Sequence, residues 1–276
     1  MATSNLSASA LGTWRWGERT CVMGIINVTP DSFSGDGLAG QLDAIVERAR
    51  AMVAAGADVI DVGGESTRPG HVPVPVEEEL QRVIPAVEAL AKAVTVPISI
   101  DTSKAIVAEA ALRAGASVIN DVRGLQADPD MARVAADWGV PVVVMHDRTI
   151  ESTERLIPDI VRELARRIEH ALAAGIAWER IIVDPGFGFG KTPERNLVLL
   201  RRLRELTVLG RPILVGTSRK SMIGHVLGTP PGDRLEGTAA TVALAIANGA
   251  DIVRVHDVPQ MVRIVRMTDA VVRGRW

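Results

Sequence analysis

From Cys21 onward, short apolar runs rich in β-branched residues alternate with longer amphipathic stretches. Such alternation calls for parallel strands joined by crossover helices, because two parallel neighbours need a long connection between them. About eight units of this kind are expected, with strands at 22–27, 59–62, 98–101, 117–120, 140–146, 181–184, 213–216 and 252–255. Between the second and third strands, Val76, Leu80, Val83, Val87 and Leu90 recur at helical spacing, with Glu77, Glu78, Glu79 and Arg82 opposite. That apolar stripe must pack on strands. Asp128 and Thr192 each precede a proline, the pattern of a capping residue followed by proline in the first turn. Gly56, Gly115 and Gly249 each stand after a helical stretch and just before a strand, where a left-handed cap is expected.

Eight strand–helix units with no linker-like shift in composition favour a closed (β/α)8 TIM barrel, a single domain over residues 13–276 after a flexible tail at 1–12. The competing arrangement is an open doubly wound sheet. Residues 13–20, TWRWGERT, alternate apolar and polar around Gly17 and suggest an N-terminal β-hairpin beneath the barrel. Residues 28–40 and 63–75, after strands 1 and 2, are longer than ordinary strand-to-helix loops. Their glycines and their Arg, Phe, Asp and Thr side chains suit mobile lids over a substrate, the alternative being disordered decoration.

Composition narrows the function classes. The chain of 276 residues is 47% hydrophobic and 23% charged, as in an ordinary globular enzyme, and its formal charge of −2 gives no reason to expect a nucleic-acid partner. Any anion site must therefore be local. The one cysteine, Cys21, cannot form an internal disulfide, which makes a reducing cytoplasm the default compartment. The first dozen residues lack the basic start and apolar stretch of a secretory signal. The apolar segment 237–253 is interrupted by Thr241, Asn248 and Asp251, so no membrane span is expected there.

Candidate chemistry collects at the carboxyl ends of the strands, where barrel enzymes build their sites: Asn27, Asp61, Asp101, Asn120, His146, Asp184, Arg254 and His256. Each alone has a plainer explanation. Asp101 could cap a helix, Asn120 and Asp121 could satisfy turn backbone, His146 could be an interior histidine, and Arg254 could pair with Asp251 or Asp257. Together, Asp101, Asn120, Asp184 and Lys220 supply donors and acceptors for a flat heterocycle with amide and amino edges. Arg254 and His256, with Arg68 and a helix beginning near Val258, suit a phosphate or pyrophosphate. The stretch TSRKSMIG after the seventh strand adds Ser218, Lys220 and Ser221.

The glycine-rich stretch DPGFGFGK at 184–191 is the most concentrated signal. It competes with a nucleotide phosphate loop, but that motif needs glycine where Pro185 stands, and proline has no N–H for a phosphate.

Taken with NVTPDSFS at Asn27, GGESTRPG at Gly63, DTSK at Asp101, NDVRG at Asn120, SRKSMIG at Ser218 and RVHDV at Arg254, the chain resembles the dihydropteroate synthases. The resemblance spans almost everything after residue 20. It implies a pterin-binding TIM barrel, a transferase of folate biosynthesis and a sulfonamide target. Its reaction would join 6-hydroxymethyl-7,8-dihydropterin pyrophosphate to 4-aminobenzoate, releasing pyrophosphate with help from Mg2+. It also implies a cytoplasmic homodimer whose partners are small molecules.

Carried over by position, Asp101, Asn120, Met145, Asp184 and Lys220 would bind the pterin. Asn27, Arg68, Arg254 and His256 would hold pyrophosphate, with Asn27 also the metal ligand. Phe33, Thr67, Arg68, Pro69, Phe189, Lys220 and Ser221 would surround the aminobenzoate, and Asp101, Lys220 and Asp36 would act in catalysis.

Two departures stand out. The family's SerAspGlyGly becomes Ser34, Gly35, Asp36, Gly37, displacing an aspartate by one position, and the loop after the fifth strand is a shortened Met145, His146, Asp147, Arg148, Thr149. The alternatives are a pterin-binding barrel without synthase activity or serving methyl transfer, and a nucleotide hydrolase built on the glycine-rich loop.

Overall fold

The computed structural model describes residues 14, 16–28, 37–65 and 73–275. Eight parallel strands run β1 (Cys21–Asn27), β2 (Val59–Gly63), β3 (Ile98–Asp101), β4 (Val118–Asp121), β5 (Val142–Met145), β6 (Ile181–Asp184), β7 (Leu214–Val215) and β8 (Ile252–Val255). They are ordered β6-β5-β4-β3-β2-β1-β8-β7, and a single bridge between Val183 and Ile213 joins the two ends of that order. The sheet is thus a barrel, and the open-sheet alternative is excluded. Crossovers are made by α1 (Gly37–Ala55), α2 (Val76–Ala93), α3 (Ala105–Ala114), α4 (Met131–Trp138), α5 (Leu156–Ala173), α6 (Pro193–Arg201), α7 (Ser221–Leu227), α8 (Leu235–Ala247) and α9 (Val258–Arg273).

The period of two along each strand sorts the core into two compartments. One parity, including Val22, Ile60, Ile100, Ile119, Val144, Val183 and Val253, packs outward on the helices. The other, Cys21, Met23, Val59, Val118, Val143, Ile182, Leu214 and Ile252, fills the barrel floor together with Trp14. Continued toward the carboxyl ends, the inward parity reaches Asn27, Asp61, Asp101, Asn120, Met145, Asp184 and Arg254 in successive strands. An apolar plug below and a polar ring above therefore follow from one alternation.

Four local expectations change. The N-terminal hairpin over 13–20 is partly outside the described residues, and the described part is a turn at 16–18 with Gly17 at φ 78° and no strand. Its polar residues are drawn onto the barrel instead: Arg19 forks onto Asp58 at 2.7 and 2.9 Å, and Thr20 donates to Asp269 through both its amide and its hydroxyl. Glu79, expected on the exposed face of α2, is buried and takes an ion pair from Lys104. Asp128 stands before α4 rather than capping it. Its carboxylate accepts from the amides of Asp130 and of Ala105, so it ties two neighbouring units together. Strands β5 and β7 are shorter than 140–146 and 213–216, the bracketing residues serving as connections.

Thr192 caps α6 as expected, accepting from the Arg195 amide with Pro193 following. Gly56, Gly115 and Gly249 adopt φ of 108°, 116° and 97°. Helix α1 begins at Gly37, inside the stretch 28–40 expected to be the first long loop; most of that stretch, and 66–72 of the second, lie outside the described residues.

Candidate active site

Strand ends and two loops build a small cavity, open at the barrel mouth and lined by Asn120, Met145, Asp184, Phe187, Phe189, Lys220 and Arg254 among others. Asn120, Asp184 and Arg254 reach it by the inward parity of β4, β6 and β8. Lys220 arrives differently. Arg219 before it sits in the left-handed region at φ 58°, a conformation uncommon for a non-glycine residue, with its guanidinium on Asp257 at 2.5 and 3.0 Å. The Lys220 ammonium donates to the Phe187 carbonyl at 2.8 Å and lies 4.5 Å from the centre of the Phe189 ring.

Arg254 organises the opposite wall. Its Nε donates to Asp61 and its Nη2 to Asp101, both at 2.6 Å, while Asn120 Nδ2 donates to the same Asp61 oxygen at 3.1 Å. The alternative partners Asp257 and Asp251 are used elsewhere, by Arg219 and by the Ile213 amide. Burial alone would lower the pKa of Arg254, but the two carboxylates outweigh it and keep the guanidinium charged. Asp101 is pushed up by burial, with Arg254 opposing.

Asp101 is not a wall of the cavity itself and joins it through Arg254. Asp61 Oδ1 and Asp101 Oδ1 are buried acceptors with no donor among the described residues. An unmet buried acceptor costs roughly 1–3 kcal/mol, a cost that a ligand N–H would remove.

The glycine-rich stretch uses its amides within the protein. Gly186 N donates to Asp184 Oδ1 at 2.7 Å, Gly188 N to Asn196 Oδ1 at 2.9 Å and Phe189 N to the Gly186 carbonyl at 3.1 Å. A phosphate cradle needs those donors, so the nucleotide-loop alternative has no footing. Gly186 lies at φ 72°, and a Cβ there would stand 1.8 Å from the His146 carbonyl oxygen. Phe187 is buried in the core, whereas Phe189 is half-buried at the cavity. Asp184 is raised by burial and held back by the Gly186 amide and by Lys220, while burial lowers Lys220 to about 8 against the pull of Asp184.

His256 is not the cation that its pairing with Arg254 suggested. Burial first, then Arg254, lowers it to about 3, so the ring is neutral near pH 7. Ser218 Oγ accepts from the His256 amide at 3.2 Å and lies 3.0 Å from Nδ1. With the hydroxyl donating to Nδ1, the ring proton would sit on Nε2. Asn27, half-buried, ends β1. Ser221 is exposed at the start of α7, off the cavity wall. Phe33, Asp36, Thr67, Arg68 and Pro69 lie outside the described residues.

The shortened loop after β5 is docked onto the glycine-rich stretch. His146 N donates to the Asp184 carbonyl at 2.9 Å and Ile150 N to that of Gly190 at 3.3 Å. Buried Arg167 holds Asp147 and the Met145 carbonyl from below. Asp121, on the outward parity, satisfies the amides of Arg123 and Leu125, so the turn-capping explanation applies to it and not to Asn120.

Sequence reasoning missed Lys191 and Asn196, both buried behind the loop, and it left Asp61 without a partner. Asp61 was among the strand-end candidates, and strand parity places it beside Arg254 and Asn120. Asn196 looks like an ordinary helical position, and nothing local marks it.

Comparison with known proteins agrees with this geometry. Residues 23–256 match the family model described as pterin binding enzyme. A dihydropteroate synthase of Bacillus subtilis is 51% identical over 253 residues, 92% of this chain and 89% of the relative. A Clostridium difficile dihydropteroate synthase solved in the presence of pteroic acid superposes with a TM-score of 0.91 at 50% identity, covering 95% of this chain and 100% of that one. The enzyme of Xanthomonas albilineans in complex with 7,8-dihydropteroate gives 0.86 at 43% identity, covering 93% and 95%. The chain belongs to the pterin-binding enzymes, among the dihydropteroate synthases.

Proposed function

We propose that the cavity holds the pterin between Asn120, Asp184, Lys220 and Arg254 and that the mouth above it receives first pyrophosphate and then 4-aminobenzoate. The observation that carries this is the pairing of a polar-lined cavity with buried acceptors at Asp61 and Asp101 that lack donors among the described residues. Dihydropterin carries the ring N–H and amino donors that such acceptors need.

The reaction is a dissociative substitution. The C–O bond between the pterin methylene and pyrophosphate breaks with its electron pair leaving on oxygen, and the lone pair of the aniline nitrogen then forms the new C–N bond. The nitrogen sheds its proton afterwards. An aromatic amine is neutral near pH 7, so no base is needed to create the nucleophile, and positioning supplies much of the rate. Arg254 and the neutral Nε2–H of His256 would donate to the departing pyrophosphate, at the start of helix α9. Lys220, between the Phe187 carbonyl and the Phe189 ring, would bridge the pterin and the incoming amine. Phe33, Thr67, Arg68, Pro69 and Ser221 would complete the aminobenzoate site, and Asp36 would face the developing methylene cation.

The residues present suit Mg2+. Among the described residues no cluster of three acidic or histidine side chains forms a protein cage, and Mg2+ held by substrate phosphates does not require one. Three acidic side chains, Asp61, Asp101 and Asp184, face two basic ones, Arg254 and Lys220, so a polyanionic leaving group brings uncompensated charge. Asn27 would offer the metal one oxygen, and the bound ion would neutralise the pyrophosphate.

No helix among the described residues is long and apolar enough to cross a membrane, and a cytoplasmic homodimer fits the reading. The test is direct: purified protein with Mg2+, the pterin pyrophosphate and 4-aminobenzoate yields dihydropteroate and pyrophosphate in equal amounts. Pterin binding by calorimetry without any product would point instead to a pterin-binding barrel lacking synthase chemistry.

A further inference from the structure

Lys191 ends the glycine-rich stretch and takes no part in the chemistry above, yet its side chain is only 9% exposed. Its ammonium donates to the carbonyls of Gly186 and Phe189 at 3.0 Å each and lies 3.0 Å from His146 Nδ1. His146, lowered by burial to about 3, is a neutral ring and accepts at that nitrogen. The His146 carbonyl lies a little farther, at 3.4 Å, and a compact head suits acceptors spread around one point in this way, a task for which a planar guanidinium is the wrong shape.

We infer that Lys191 is the positioning residue of the aminobenzoate subsite, gathering the turn of the loop and the strand-5 histidine around one amine so that Phe189 and the Phe187 carbonyl are presented to Lys220. This rests on the substrate reading given above. The argument for a local role is the division of labour within the loop. Asp184 is fixed without Lys191, by its place in β6 and by the His146 amide on its carbonyl. Gly188 is fixed from outside by Asn196, whose Nδ2 also donates to the Lys191 carbonyl at 3.2 Å. Phe189 depends on the Gly186 carbonyl for its N–H and on the Lys191 ammonium for its own carbonyl. Burial lowers Lys191 to about 7, with Asp184 and Asp147 opposing and Lys220 and Arg167 adding to the effect, as expected of a base kept inside for what it holds. Without the amine, Asp184 keeps its strand and the His146 amide, whereas the carbonyls of Gly186 and Phe189, which together hold the turn that carries the aromatic ring, each lose a donor.

The experiment compares steady-state kinetics in both substrates, with melting temperatures, for wild type, Lys191→Met, Lys191→Gln and Leu164→Ala. The last is a destabilised control in the core of helix α5. Losing the several hydrogen bonds of this amine should raise KM for 4-aminobenzoate about tenfold or more in Lys191→Met, with KM for the pterin pyrophosphate moving less than about threefold. Lys191→Gln, which keeps an N–H donor, should recover part of the loss, and Leu164→Ala should melt earlier with neither KM changed. Equal rises in both KM values, or none, would overturn the inference while leaving the function intact. If Lys191→Met does not fold, Lys191→Gln is judged by the same ratio. A wild-type protein unable to make dihydropteroate would overturn both.

Discussion

Asp61 is the residue whose replacement tests the arrangement of the mouth most sharply, because it is fully buried and touches Arg254 and Asn120 through one oxygen. Asp61→Leu keeps the bulk and removes both acceptors. Breaking one side of a buried ion pair costs about 3–5 kcal/mol, and since Asp101 still holds Arg254 Nη2 at 2.6 Å the lower end, about 3 kcal/mol, applies. The orphaned Asn120 donor adds about 1 kcal/mol. At roughly 2–4 °C per kcal/mol for a domain of this size, the melting temperature should fall by about 8–16 °C. Asp61→Asn leaves an acceptor where Arg254 and Asn120 need it, so its loss should be nearer about 1 kcal/mol, or roughly 2–4 °C.

Calorimetric unfolding gives these values, and kcat/KM for the pterin pyrophosphate gives the functional counterpart. A guanidinium released from one of its two anchors should lower kcat/KM about 10- to 100-fold in the leucine variant, equivalent to about 1.4–2.7 kcal/mol of transition-state stabilisation. A leucine variant melting within about 2 °C of wild type would show that Arg254 is held by Asp101 and solvent alone, and the reasoning would be wrong.

Gly186→Ala should be poorly tolerated, since the left-handed backbone costs about 1–2 kcal/mol for alanine and the new methyl would drive into the His146 carbonyl; recovery of folded protein with normal turnover would contradict the docking of the two loops. His146 and His256 are both lowered to about 3 from 6.5, so the unfolded chain takes up their protons first and stability should fall as pH drops from 6.5 toward 3. Urea titrations across that range should show a flatter dependence in His256→Gln, with stability near pH 7.5 comparatively unaffected by protonation of this group. Chelation with EDTA should abolish product formation and excess Mg2+ restore it, whereas calorimetric binding of the free pterin should survive chelation, because the pterin contacts are made by protein side chains.

The barrel and the location of its site were legible because both come from one local signal, the alternation along each strand. Asn120, Asp184 and Arg254 stand at inward positions whose number is visible in the sequence. What each then meets is not local. Arg254 is paired with residues 193 and 153 positions away, and no spacing distinguishes these from the nearby Asp251 and Asp257. His256 looked cationic beside a strand-end arginine, but its charge is decided by burial, which a single polar residue in a short strand does not reveal. The described part of the expected hairpin shows no strand for a related reason: Arg19 and Thr20 found carboxylates at Asp58 and Asp269 that sequence order places far away. The three glycines of the ligand loop, by contrast, announced a backbone requirement that the positive φ values at Gly186, Gly188 and Gly190 match.

The lone bridge at Val183 and Ile213 makes the β6–β7 join the thinnest seam of the barrel, thinner than the two-pair ladder of β7 on β8. Local opening begins where few backbone hydrogen bonds must break together, so amide exchange should be fastest there among the strand pairs. The two loops that bracket the cavity ride on opposite sides of this seam, one leaving β6 at Asp184 and the other following β7 toward Lys220. The hydrogen bond from Lys220 to the Phe187 carbonyl is then a stitch across it. A pterin wedged between Asp184 and Lys220 would add further stitches, and loading should slow exchange more along β6 and β7 than along β1 and β2, which are fully laced already.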